Sequence, residues 1–198
     1  MVFITGDTHG EIDIGKLNSR NFNKLNRLKK SDYVIIAGDF GFIWSNDNTQ
    51  KYWLNWFEKK PYTTLFIDGN HENFDLLKKY DEIEWNNGIV HKINNSVYHL
   101  MRGSIFKIDG LKIFTFGGAK SVDKIYRKEH ISWWKEEEPN QREYEYGLYN
   151  LEANDYMVDV VITHSAPNSV LKNIDINNEY AQENKITSYL EAIKQKLK

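Results

Sequence analysis

The chain has 198 residues, 40% of them hydrophobic and 14% aromatic, enough to bury a sizeable core as one domain over residues 1–198, and no Pro-, Gly- or Ser-rich linker divides it. A formal net charge of −2, with the pairs Lys29-Lys30, Lys59-Lys60 and Lys78-Lys79 standing apart, gives no electrostatic footprint for strong nucleic-acid binding, although a nucleotide substrate stays open. The absence of cysteine excludes a disulfide framework, a thiol nucleophile and a Cys-based zinc site, so any metal must take carboxylate, imidazole and amide ligands.

No charged-and-apolar leader pattern precedes the first apolar run at residue 2, and no apolar run approaches the roughly 18 residues of a membrane span. A cytoplasmic protein with no membrane partner is therefore expected. Val2 to Thr5, Tyr33 to Ala37, Thr64 to Ile67 and Val158 to Ile162 are mostly continuous apolar runs rich in β-branched and aromatic residues, the pattern of strands buried on both faces. Between them, Leu17, Phe22, Leu25 and Leu28 predict a helical face after Gly15. Trp53, Trp56 and Phe57 predict a second before Pro61, and Phe74, Leu76 and Leu77 begin a third. Alternating strands and helices imply crossover units on a parallel sheet.

The middle of the chain changes character. Gly88 to Val90, Val97 to Leu100, Ile105 to Ile108 and Leu111 to Phe116 are short strand candidates, and Asp109-Gly110 between the last two is a hairpin signal. These four predict a second, largely antiparallel sheet inserted before the Val158 strand. Ile186, Tyr189, Leu190, Ile193 and Leu197 return to helical spacing at the end.

Each of the four apolar runs ends in polar residues of metal-ligand type: Gly6-Asp7-Thr8-His9-Gly10, Gly38-Asp39, Gly69-Asn70-His71-Glu72 and Thr163-His164. Ligand sites of open α/β sheets lie beyond the carboxyl ends of the strands, so the four clusters are expected to converge on one edge. Singly, each has an ordinary reading: Gly-Asp is a turn, and His164 after a buried strand is a satisfied core histidine. Jointly they point to a metal. Asp7 and His9, two residues apart, can turn toward one ion, and the two oxygens of Asp39 can bridge two ions. Asn70 offers a neutral carbonyl oxygen.

Asp-x-His, Gly-Asp, Gly-Asn-His-Glu and a strand-terminal His, in this order, resemble the calcineurin-like metallophosphoesterases, from residue 1 to about residue 167. The resemblance implies an α/β fold, with two mixed β-sheets packed as a sandwich flanked by helices in four layers. It implies hydrolysis of phosphomonoesters or phosphodiesters by a water activated at a two-metal centre. Carried over residue by residue, it assigns Asp7, His9 and Asp39 to one metal and Asp39, Asn70 and His164 to the other. Manganese is the expected ion, with Fe, Zn, Ni or Mg as alternatives. Four positive charges against two carboxylates leave such a site cationic enough for phosphate. His71 is implied as the residue that protonates the leaving oxygen or stabilises the transition state; its ordinary reading is a hydrogen-bonding residue at a helix start.

The family pattern continues to a Gly-His-x-His element, but this chain has no histidine after His164. The C-terminal helix is expected to lead into the strand that would carry that element, so the domain is expected to be C-terminally truncated. Each metal then keeps at most three protein ligands, and weakened metal affinity and turnover are expected. The alternative function is a catalytically impaired metal-binding or interaction module of the same fold.

Other residues carry open alternatives. Arg102 and Arg127 have the fork that suits phosphate oxygens, or form surface salt bridges. Gly117-Gly118-Ala119-Lys120 brings a lysine near substrate or forms a tight turn. Ser132 to Pro139, a loop resembling one found in bacterial members, contacts substrate at the rim or packs its Trp pair. Phe40, Phe42 and Trp44 form a base-stacking wall or core. No Asp-Arg-Gly follows Gly38-Asp39, which argues against the protein serine/threonine phosphatases. His91, His99 and His130 fit no motif and read as structural.

Overall fold

The computed structural model describes residues 1–174 and 182–198. Three parallel strands, β1 (Val2–Thr5), β2 (Tyr33–Ala37) and β3 (Thr63–Ile67), stand side by side, with Ile4 opposite Ile35 and Ile35 opposite Leu65. Every residue of β3 is buried. The sheet continues from β3 through β6 (Val97–Leu100), β5 (Gly88–Lys92) and β4 (Glu82–Trp85), in the order β1-β2-β3-β6-β5-β4. A second sheet has the order β7-β8-β9, from β7 (Ile105–Ile108), β8 (Leu111–Phe116) and β9 (Val160–Thr163).

Two expectations change here. Gly88 to Val90 and Val97 to Leu100 extend the first sheet, because β6 pairs parallel with the free edge of β3, setting Thr64 opposite Val97 and Phe66 opposite His99. The Val158 run, shortened to β9, leaves the first sheet and pairs parallel with β8. Both sheets are consequently mixed. Strand β4, Glu-Ile-Glu-Trp with outward glutamates, was not anticipated; its period-2 alternation is the signal that finds it.

Strand alternation builds the layers. Ile35, Leu65, Ile67 and Val90 from the first sheet meet Phe106, Ile108, Ile113 and Ile162 from the second in a shared core. Val34, Ile36 and Phe66 face the other way, toward Phe57 of helix α1 (Asn48–Glu58) and Phe74 and Leu77 of α2 (Phe74–Leu77). On the opposite side Phe114 and Phe116 pack against Tyr144 and Leu151 of α3 (Gln141–Ala153) and Ile186, Leu190 and Ile193 of α5 (Lys185–Lys196). A short helix α4 (Asn168–Ile174) lies between β9 and α5. The result is the expected α/β sandwich of two mixed sheets between helices.

Caps fix the helix starts. Asp47 accepts from the Gln50 amide at 2.9 Å, and Asn140 and Asn184 form capping boxes with Glu143 and Thr187. The helix expected over Leu17 to Leu28 is replaced by two 3-10 turns, Ile14–Leu17 and Leu25–Arg27. Asparagine side chains take over the backbone there: Asn18 Oδ1 accepts from the amides of Arg20 and Asn21, and Asn21 donates to the Gly15 carbonyl. At the β7–β8 turn, Asp109 and Gly110 have φ of +51° and +83°, the paired left-handed conformation of a two-residue hairpin. No helix among the described residues is long and apolar enough to cross a membrane.

Candidate metal centre

The carboxyl ends of β1, β2, β3 and β9 deliver Asp7, His9, Asp39, Asn70, His71 and His164 to the wall of one cleft of about 430 Å³. The first three strands belong to one sheet and β9 to the other, so the site spans the ends of both.

The loops that carry these groups are tied to one another. Amides of Thr8 and His9 donate to the Asp39 carbonyl at 3.2 and 2.8 Å, and the Thr8 hydroxyl and Gly10 amide donate to the Phe40 carbonyl. Asp39 and His9 adopt φ of +48° and +46°, a left-handed backbone held in place by these bonds. The Asp39 side chain is buried, and its Oδ1 accepts from the His71 amide at 2.8 Å. A Cβ on Gly69 would stand 2.1 Å from Asp39 Oδ1, so only glycine lets the two loops approach this closely.

Asp39 is common to two donor groups, Asp7–Asp39–His164 and His9–Asp39–His71, within each of which one ligand atom per residue lies within 4.8 Å of the others. His9 Nε2 is 3.4 Å and His164 Nε2 3.6 Å from Asp39 Oδ2. His164 Nδ1 lies 3.0 Å from the Ala37 carbonyl; donating there leaves Nε2 with its lone pair toward the carboxylate. Atoms bound to one cation at 2.0–2.3 Å stand roughly 3–4.5 Å apart, which these spacings approach. The donor set, oxygen and imidazole without sulfur, suits divalent Mn, Fe, Zn, Ni or Mg.

Asp7 Oδ2 also stands 3.9 Å from His9 Nε2, so Asp7, His9 and Asp39 lie together as expected. His164 also approaches Asp7, whose Oδ1 is 3.5 Å from His164 Nδ1, and the rings of His9 and His71 lie 5.1 Å apart edge to face. Asn70 points its Nδ2 at the Ser121 hydroxyl, 3.1 Å away, which turns its carbonyl oxygen to other partners.

His71 is half-buried, and burial lowers its pKa, helped by Arg127 and opposed by Asp39. The Arg127 guanidinium faces the His71 ring, with Nη1 3.2 Å from Nδ1 and Nη2 3.5 Å from Nε2. Arg127 is itself held by Asp123 Oδ2 at 2.7 and 2.9 Å and by the Ser132 carbonyl. Lys120, from the turn after β8, also lines the cleft.

Arg102 does not reach this cleft. It is a buried ion pair, not a surface one: Nε and Nη2 donate to Asp68 Oδ2, Nη1 lies 3.3 Å from Glu143, and Nη2 also reaches the carbonyls of Glu136 and Glu137. Burial opposes ionisation of Asp68, yet Arg102 and His99 hold its carboxyl well below the usual range. Phe40, Phe42 and Trp44 are core and not a cleft wall; Phe40 stacks on Phe66 at 4.2 Å. Trp134 is also core, its indole donating to Asp75 at 2.7 Å. His91 and His99 are a buried, stacked pair, and His130 is an exposed partner of Asp75.

Two residues without an assigned role shape the site. The buried Glu72 accepts from the amides of Phe40 and Gly41 at 2.7 and 3.4 Å, clamping the turn that presents Asp39. Glu137, fully buried, receives the Ser121 amide and hydroxyl, and so fixes the partner of Asn70. Glu72 was visible as the last letter of Gly-Asn-His-Glu; nothing in the spacing of Glu137 marked it.

The fold is a two-sheet α/β sandwich that carries a His/Asp cluster able to hold metal at its strand ends. The model of the calcineurin-like phosphoesterase family matches residues 1–191, and the chain belongs to that family. Its members are in general hydrolases of phosphoester bonds that bind divalent metals. No curated protein and no solved structure matches the chain.

Proposed function

We propose that this chain hydrolyses phosphomonoesters or phosphodiesters, nucleotides among them, with a water activated at a two-metal centre. The observation that carries the reading is Asp39: one buried carboxylate, pre-positioned by Glu72 and the His71 amide, shared by two separate sets of nitrogen and oxygen donors. Asp7, His9, Asp39, Asn70 and His164 would hold the ions, manganese first among the candidates. When bound, such ions supply a water deprotonated near neutral pH and offset charge on the phosphoryl oxygens.

The chain's own residues then bind and orient. Lys120 and Arg127 bring positive charge to the cleft wall, where a phosphate oxygen is favoured. His71, its ring placed beside the Arg127 guanidinium, donates to the leaving or transferring oxygen. Asp123 and Ser132 hold Arg127 against that ring.

A second reading, a metal-binding module with impaired turnover, is favoured by one observation. The side of the cleft next to α5 is formed by Gln182, Asn184 and Thr187, neutral groups that are weaker ligands than imidazole. Elemental metal analysis of the purified protein, followed by turnover of a chromogenic phosphodiester and phosphomonoester with Mn²⁺, separates the two. The enzyme reading expects bound metal and turnover, both lost in Asp39→Asn. Bound metal with no turnover supports the second reading, and turnover that survives Asp39→Asn overturns the proposed centre.

A further inference from the structure

None of the residues from Ser132 to Pro139 lines the metal cleft, yet one of them is coupled to its wall. Glu137 closes the 3-10 turn Lys135–Glu137 and is fully buried. The turn is held from behind. Arg102 Nη2 donates to the carbonyls of Glu136 and Glu137 at 2.8 and 3.3 Å, and the Ala119 amide donates to the Glu137 carbonyl at 3.1 Å. A Cβ on Gly118 would stand 2.7 Å from that carbonyl oxygen, so the turn and the segment after β8 lie in close contact.

Both side-chain oxygens of Glu137 face one residue of that segment. Oε1 accepts from the Ser121 amide at 2.9 Å, and Oε2 accepts from the Ser121 hydroxyl at 2.6 Å. A hydroxyl has a single hydrogen. With that hydrogen given to Glu137, Ser121 Oγ can only accept from its other neighbour, which is Asn70 Nδ2 at 3.1 Å. The two ends of an asparagine amide are alike in shape, and a partner that only accepts tells them apart. Ser121 turns the NH2 of Asn70 toward itself and leaves Oδ1 for the cleft that Asn70 lines. A carbonyl oxygen is a ligand for a divalent cation, whereas an amide NH2 is only a donor.

We propose that Glu137 is a positioning residue of the metal centre, fixing the Asn70 amide through the Ser121 hydroxyl so that its oxygen is presented to the ions. The inference rests on the metal-centre reading given above and concerns affinity for the ion. A relay of this kind makes an isosteric change more harmful than a truncation. In Glu137→Gln only one oxygen remains; placed on the Ser121 amide, it leaves the new NH2 to donate to Ser121 Oγ. The hydroxyl hydrogen is then released toward Asn70, where it calls for Oδ1 and inverts the amide. Ser121→Ala removes the preference without reversing it.

Calorimetric titration of the metal-free full chain with Mn²⁺ tests this, with thermal unfolding of each metal-free variant to show that it is folded. Ser121→Ala is expected to weaken Mn²⁺ binding about tenfold, and Glu137→Gln more, toward about 100-fold, the range for residues that orient metal ligands. The Asn70→Asp background supplies the readout that a packing role would not move. An aspartate offers oxygen at both ends and has no amide to orient. Ser121→Ala and Glu137→Gln are therefore expected to cause no further loss in that background. Equal losses in the parent and in the Asn70→Asp background would overturn the proposal. So would affinity unchanged in Ser121→Ala and Glu137→Gln while Asn70→Ala loses it, with the metal-centre reading left standing. A parent that binds no Mn²⁺, or one whose affinity survives Asn70→Ala, overturns the metal-centre reading and the proposal together. If Glu137→Gln fails to fold, Ser121→Ala compared across the two backgrounds keeps the test decisive.

Discussion

Replacing Arg102 by alanine distinguishes a buried structural cation from a substrate contact. The side chain is almost wholly buried, and its donors go to Asp68 Oδ2, Glu143 Oε2 and the carbonyls of Glu136 and Glu137. Truncation leaves Asp68 as a buried carboxylate with His99 as its remaining side-chain partner, and frees two loop carbonyls. Removing one partner of a buried pair costs about 3–5 kcal/mol, and an unsatisfied buried carbonyl about 1–3 kcal/mol, terms that overlap because the loop can relax. A net loss of about 4 kcal/mol lowers the melting temperature of a chain this size by roughly 8–16 °C. Urea unfolding followed by tryptophan fluorescence measures it, with Arg127→Ala as the comparison. Arg127 pairs with a half-exposed Asp123, so its loss is expected to stay within about 1 kcal/mol while turnover of a chromogenic phosphate ester falls. An Arg102→Ala protein that keeps its stability within about 1 kcal/mol but loses turnover would return Arg102 to the substrate and refute the burial reasoning.

Gly69→Ala is expected to abolish metal retention measured by elemental analysis, because the added methyl group would stand 2.1 Å from Asp39 Oδ1 and 2.7 Å from its amide nitrogen. Gly110→Val, at φ +83° on a hairpin far in sequence from the ligands, is expected to cost about 1–3 kcal/mol in urea unfolding and to leave metal content unchanged. Lys60 is pushed down to about 8 by burial, with its Nζ 3.3 Å from the centroid of the Trp56 ring. A lysine whose folded pKa lies below its unfolded value of 10.5 disfavours the fold while charged in both states. Stability is therefore expected to rise as pH increases from about 8 toward 10.5. Lys60→Met is expected to flatten that rise, read from melting temperatures across the range.

The strands that carry the ligands were legible as continuous apolar runs: β2 and β3 are buried on both faces, whereas β9 is apolar but exposes Val161. Which sheet each one joins was not legible, since an apolar run reads alike in either sheet. The free edge of β3, taken by β6, decided it through space. The Leu17 to Leu28 helix failed for a local reason, the asparagines that bond their own backbone. Among the site residues, the convergence of Asp7, His9, Asp39, Asn70, His71 and His164 followed from motif order and strand ends. The 3.5 Å approach of His164 Nδ1 to Asp7 did not, because spacing along the chain does not encode a distance between the two sheets.

Glu72 shows how the site is held before any ion reaches it. A buried acid beside Asp39 is unfavourable as a carboxylate, and burial, with Asp39 adding to it, raises its pKa well above the usual value. The turn it clamps is unfavourable as well, with non-glycine residues in left-handed conformations at His9 and Asp39, costing on the order of 1 kcal/mol or more each. Opposing these terms are the amide bonds from Phe40 and Gly41 to Glu72, the bonds from Thr8, His9 and Gly10 to the Asp39 and Phe40 carbonyls, and the His71 amide on Asp39 itself. Strain persists where surrounding bonds over-determine it, and here they determine the position of the one carboxylate shared by both donor groups. The positions of the strand-end ligands are thus a property of the folded loops themselves, which is what a site that must present a fixed set of donors to phosphate requires.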